Sequence, residues 1–110
     1  MDAYTFHEGF AHLLSYQATE IDCVDWHTPQ LTEVAAASRA KLRLALTETD
    51  PDRQKQFLEE AVCGSYYEKF ACMCGMLYLA DRWETQGING LQSAFADYHG
   101  FAQRALSIRI

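Results

Sequence analysis

Both prolines of this chain stand directly after a helix-capping residue, in Thr28-Pro29 and Asp50-Pro51. Proline sacrifices no hydrogen bond at the first helical position, and its φ is preset for a helix, so each pair reads as a helix start. No other proline interrupts the chain, and apolar residues recur at three- and four-residue spacings rather than alternating as a half-buried strand would. That combination directs the chain to packed helices.

Five helical segments follow from the pattern. The first covers residues 3–18, with Phe6, Phe10, Leu13 and Leu14 on one stripe that Gln17 continues. An irregular acidic stretch, 20–27, carries Ile21, Val24 and Trp26. The second helix opens at Pro29 and aligns Leu31, Val34, Ala35, Ser38, Leu42, Ala45 and Leu46, with Arg39, Lys41 and Arg43 outside. The third opens at Pro51, with Phe57, Leu58, Ala61 and Val62 inward and Gly64 in the position where a helix end turns left-handed. Ser65 and Glu68 spell a capping box for the fourth, which runs to about Gln86 and stops at Gly87. Gly64 is the weakest joint: the third and fourth helices either part there or run on as one kinked rod. Asn89 caps the fifth, whose stripe is Leu91, Ala94, Phe95, Tyr98, Ala102, Ala105 and Leu106. With 110 residues the chain has one domain's length, and the expectation is an all-α, compact bundle of about five helices.

Charge narrows the partners. Nine Lys and Arg against fifteen Asp and Glu give −6, and no basic cluster offers phosphates a footprint, so no nucleic acid is expected. Residues 1–8 have neither a basic nor an apolar region of the kind an export signal needs. The longest charge-free stretches, 70–80 and 85–96, fall short of the ~20 apolar residues that span a bilayer. Without an export signal, Cys23, Cys63, Cys72 and Cys74 read as reduced thiols, and the chain as soluble and cytoplasmic.

Groupings that resemble chemical motifs fail on spacing. His7 and His12 are five apart, about 140° round a helix at about 100° per residue, and cannot grip one metal as an i, i+4 pair does. Cys72 and Cys74 point about 160° apart if helical, unlike a redox or zinc C-x-x-C pair, and read as small apolar side chains. Cys23 and His27, beside Asp22 and Asp25, offer two ligands where structural zinc wants four. Di-iron, nucleotide-binding and hydrolase motifs are missing from the sequence. No catalytic residue, metal or cofactor is expected.

The fourth helix is apolar on two sides. One broad face holds Tyr66, Phe70, Met73, Cys74, Leu77 and Ala80, with Tyr67 and Tyr78 at its edge; the other holds Cys72, Met76, Leu79 and Trp83. A helix apolar on both faces is buried on both, either at the centre of its own bundle or at an interface. Residues 70–103 carry four charges only, Asp81, Arg82, Glu84 and Asp97, and charge depletion with aromatic enrichment marks interface cores. The chain closes with Ile108 and Ile110, which gain from burial. Cys72, Met76, Leu79, Trp83, Ile108 and Ile110 are therefore the expected partner-binding or dimer interface of a homodimer.

In length, helicity, acidity and the Phe-, Tyr-, Met- and Cys-rich segment 66–83, the chain resembles the small bacterial antiactivators of quorum sensing. The likeness extends over the whole chain and contains no short diagnostic motif. It implies a dimeric protein that binds the ligand-binding domain of a LuxR-type transcription factor, occupies that receptor's dimerisation surface, and so prevents its DNA binding. Two other classes stand beside it. One is a small helical metal- or thiol-dependent enzyme using His7, His12, His27, His99 or the cysteines; the other is an immunity or anti-defence protein that occludes a different partner.

Overall fold

In the computed structural model, which describes residues 1–107, six α-helices follow one another: α1 (Asp2–Ser15), α2 (Pro29–Thr47), α3 (Pro51–Ala61), α4 (Phe70–Gln86), α5 (Ile88–Ala96) and α6 (Phe101–Ala105). Single 3-10 turns lie at Tyr16–Ala18, Ile21–Cys23 and Tyr66–Glu68, and the described residues contain no strand. The architecture is an all-α bundle. None of these helices is long and apolar enough to cross a membrane.

Both proline signals act as capped starts. The Leu31 N–H donates to Thr28 Oγ1 at 3.2 Å, and the Asp52 N–H to Asp50 Oδ1 at 3.2 Å. Two other boundaries differ from the sequence reading. The first helix stops at Ser15, because Gln17 and Ala18 turn left-handed at φ 54° and 52°. The capping box closes only a 3-10 turn: the Ser65 hydroxyl makes no capping bond, Lys69 sits at ψ 82°, and α4 begins at Phe70, so Tyr66 and Tyr67 precede it. Gly64, at φ 99°, breaks the chain between α3 and that turn, so the two helices are not one rod.

The fifth expected helix is two. Asp97 Oδ1 accepts the His99 N–H at 2.9 Å, an aspartate turn, and Gly100 at φ 74° redirects the backbone into α6. The start of α6 is capped from the far end of the chain. Asp2 accepts the N–H groups of Gly100 at 2.8 Å and Ala102 at 3.0 Å.

The bundle is built round α4. Every residue from Phe70 to Leu77 is buried, as are Leu79, Ala80 and Asp81, and α1, α2, α5 and α6 all pack on this rod. Its closest neighbour is α1, and glycines explain why. A Cβ on Gly9 would stand 2.7 Å from the Gly75 carbonyl carbon, and one on Gly75 would run into the Thr5 carbonyl, so the two backbones are in direct contact. The second apolar face of α4 is thus the inner wall of the chain's own core. Fully burying side chains such as Met76 and Leu79 is worth about 1.5–3 kcal/mol each, a gain the single chain already takes.

Candidate interaction surface

That packing corrects the expected interface. Cys72, Met76 and Leu79 are 0% exposed, so they have no surface to offer a partner; Ile108 and Ile110 lie outside the described residues. Cys72 Sγ donates to the Glu8 carbonyl at 3.6 Å, across the α1–α4 contact. Trp83 alone of the four α4 residues is partly exposed, one turn beyond the fully covered stretch. Its indole N–H donates to Asp22 Oδ1 at 2.9 Å, and with Ile21, Val24 and Trp26 it lines one shallow pocket. On the next residue Glu84 meets His27 Nε2 at 2.9 Å. Trp83 therefore fastens the acidic 20–27 stretch onto α4. Trp26 itself is buried, its N–H spent on the Ile21 carbonyl at 3.3 Å.

A cluster of aromatic rings left partly uncovered lies elsewhere, where α1 meets the end of α5. Phe6 is buried at its centre, stacked on Tyr98 with centroids 5.2 Å apart and planes 3° from parallel. Phe101 meets Phe6 edge-on from below at 5.3 Å, and Phe95 at 5.5 Å. Phe10 packs on Phe95 at 4.4 Å, and His7 on Tyr98 at 5.2 Å. Such ring pairs contribute about 0.5–1.5 kcal/mol each beyond their area, enough to hold the outer rings in place although one side faces water. Phe95 is nonetheless 54% exposed and Tyr98 38%. The sequence reading put both on one buried stripe; Phe95 closes α5 with its ring half in water, and the break at Asp97–Gly100 takes Tyr98 out of the helix while Phe101 goes in. Asp97 three residues before Gly100 was the available signal.

The titratable groups weighed for chemistry are dispersed. His7 lies on the aromatic patch, whereas His12 turns away, its Nδ1 2.7 Å from the Glu8 carbonyl and its ring against Tyr66. Burial pushes the Cys72 and Cys74 thiols up to about 12, which leaves them protonated and poorly nucleophilic at neutral pH. Cys23 and Cys63 are exposed free thiols. Burial also raises Tyr16, whose hydroxyl lies 2.9 Å from that of Tyr67. Among the described residues no three His, Cys, Asp or Glu side chains gather where they could hold a metal ion. Compared with protein families, curated proteins and solved structures, the chain finds no match.

Proposed function

We propose that this chain is a protein-binding antiactivator of the QslA type, which occupies the dimerisation surface of a LuxR-type transcription factor's ligand-binding domain and so prevents its DNA binding. The observation that carries this reading is the aromatic patch of Phe10, Phe95 and Tyr98 with His7 at its rim. Contiguous exposed apolar surface is costly for a small domain and is found where a partner covers it. Phe and Tyr are also enriched in interface cores. A receptor's dimer seam is apolar, and rigid rings already packed on Phe6 lose little conformational freedom when they dock there. The balance of −6 keeps the chain itself from DNA phosphates, so inhibition runs through the receptor alone. Self-association as a homodimer belongs to the same reading, with Trp83 and the two isoleucines beyond the described residues, Ile108 and Ile110, as its expected seam.

A mobility-shift assay with a LuxR-type receptor and its promoter tests the proposal. Added protein abolishes the receptor–DNA band without producing a larger one, and size exclusion finds a single receptor chain in the complex. Phe95→Arg raises the concentration needed by roughly thirtyfold, the equivalent of about 2 kcal/mol at a binding hot spot. A supershifted band, or a receptor dimer intact within the complex, overturns the mechanism.

A further inference from the structure

Residues 1–38 carry Asp2, Glu8, Glu20, Asp22, Asp25 and Glu33 and no Lys or Arg. Residues 83–103 carry Glu84 and Asp97 and again no Lys or Arg, so all nine basic residues come from the rest of the chain. The aromatic cluster is assembled from these two segments, with Phe6, His7 and Phe10 from the first and Phe95, Tyr98 and Phe101 from the second. Its exposed rings therefore stand on the part of the chain that supplies acids only.

Beside Phe95 and Tyr98 an open cleft of about 520 Å³ lies between the first turn of α1 and the 95–99 segment, with Asp2 and Asp97 in its walls and no Lys or Arg among them. The two carboxylates are in different states. Asp2 is committed, since its oxygens accept the N–H groups of Gly100 at 2.8 Å and Ala102 at 3.0 Å. Asp97 uses only Oδ1, on the His99 N–H at 2.9 Å, and its Oδ2 has no partner among the described residues. Arg104 does not neutralise it. That guanidinium donates to the His99 and Asp97 carbonyls, at 2.9 and 3.0 Å, and lies over Phe101. The amino group of Met1 offsets one of the two carboxylates, which leaves the cleft negative. A half-exposed ring beside a carboxylate with an open oxygen suits an organic cation: the ring attracts it through its quadrupole, and the carboxylate accepts a charge-assisted hydrogen bond.

We propose that this cleft receives a cationic side chain, an Arg or Lys that a partner protein presents among apolar residues, with the charge between Asp97 Oδ2 and the Phe95 ring. The inference rests on reading the aromatic cluster as the docking surface, and it adds the chemistry of what docks there. A purely apolar partner would desolvate Asp97 without a counter-charge, and an acidic one would repel it. A bare metal ion lacks ligands, because no three His, Cys, Asp or Glu gather among the described residues. A second copy of this chain brings the same −6, and like charge opposes its approach. A basic partner is instead steered towards the acidic segments, so association weakens as salt rises.

The test is a proton–nitrogen chemical-shift titration of the full chain with phenethylammonium, beside phenethyl alcohol and phenylacetate, which keep a ring and change the charge. Phenethylammonium at millimolar concentration produces saturable shifts at residues 95–99, whereas the neutral and anionic probes bind at least about fivefold more weakly. Asp97→Asn lowers phenethylammonium affinity by at least about fivefold, because asparagine keeps the oxygen that accepts the His99 N–H and loses only the charge. Glu59→Gln, on α3, leaves it unchanged. Should Asp97→Asn fail to fold, the contrast between phenethylammonium and phenethyl alcohol on the unaltered chain decides. This pattern in a chain that inhibits no receptor supports the cation site and overturns the antiactivator reading alone. Equal binding of the alcohol, an Asp97→Asn variant that binds like the parent, or no saturable shift overturns the cation site and leaves the antiactivator reading standing. A dimer in sedimentation that Asp97→Asn abolishes assigns the cleft to a second copy and overturns the proposal as well.

Discussion

Where α1 crosses α4, the chain is held by the absence of atoms; where α3 rests on the bundle, it is held by little more than the Phe57 ring, among solvated charges. At the crossing, Gly9 and Gly75 let two backbones touch, and the surrounding residues are buried and nearly free of charge. On α3 all residues from Pro51 to Gln56 are exposed, and only Phe57 and Ala61 reach the interior. Its other ties are polar: Lys41 to Glu60 at 3.0 Å, and Arg53 to Glu48 at 3.1 Å. Close packing tolerates no added volume, because the displaced element carries everything attached to it. Solvated ion pairs tolerate a great deal, because water replaces whatever is removed. The first region therefore decides whether the chain folds, and the second decides how firmly one helix stays on.

Gly75→Val attacks the comparison at its strongest point. Its Cβ would collide with the Thr5 carbonyl and force α1 away, and a backbone displacement of that kind costs more than about 4 kcal/mol out of a typical total of about 5–15. The expected result is loss of the cooperative thermal transition followed by circular dichroism; a parent-like melting curve would mean that the crossing is not decisive. Phe57→Ala comes next. It removes the one large α3 anchor, which meets Phe70 edge-on at 6.3 Å, for about 3 kcal/mol. Hydrogen exchange should then accelerate through α3 while the α1–α4 crossing stays protected, and uniform acceleration would erase the distinction between the regions.

Glu60→Gln has the smallest effect. Lys41 holds the Glu60 carboxyl below its usual range, and the backbone N–H of Asp50 does the same for Glu48 ahead of Arg53. A carboxylate lowered on folding stabilises above its unfolded pKa, and the contribution fades as pH falls through the folded value. Both carboxylates lie at the surface and reach water, so screening leaves little to lose. The variant's melting midpoint at neutral pH should match the parent's within error, and a clear drop would show that α3 depends on charge more than on Phe57.

The elements whose signals are local were legible in the sequence. Thr28-Pro29 and Asp50-Pro51 act through hydrogen bonds two or three residues away, and no tertiary partner had to be known. The 65–68 capping box depended on a helix continuing through Lys69, and packing ends that turn instead. The same limit governed the interface residues. Cys72, Met76 and Leu79 were recognisable as buried, but periodicity cannot distinguish a neighbour within the chain from one outside it. What decided between them was the glycine pair, which draws α1 over that face, and glycines at residues 9 and 75 carry no mark of each other in the sequence. Tyr98 escaped because the break at 97–100 takes it out of the helix, and Phe95 because it stands at the last turn of α5, where that break ends the stripe.

The capping of α6 by Asp2 has a consequence for the order of events during synthesis. Its two hydrogen bonds join residues 98 and 100 positions apart. At about 5–20 residues per second, roughly 5–20 s pass between the appearance of that carboxylate and of the amides it serves. For the same interval Phe6 waits without Tyr98 and Phe101, the rings that will cover it. A side chain that ends buried is thus left for seconds in the open on the ribosome, where a chaperone or a neighbouring nascent chain can meet it first.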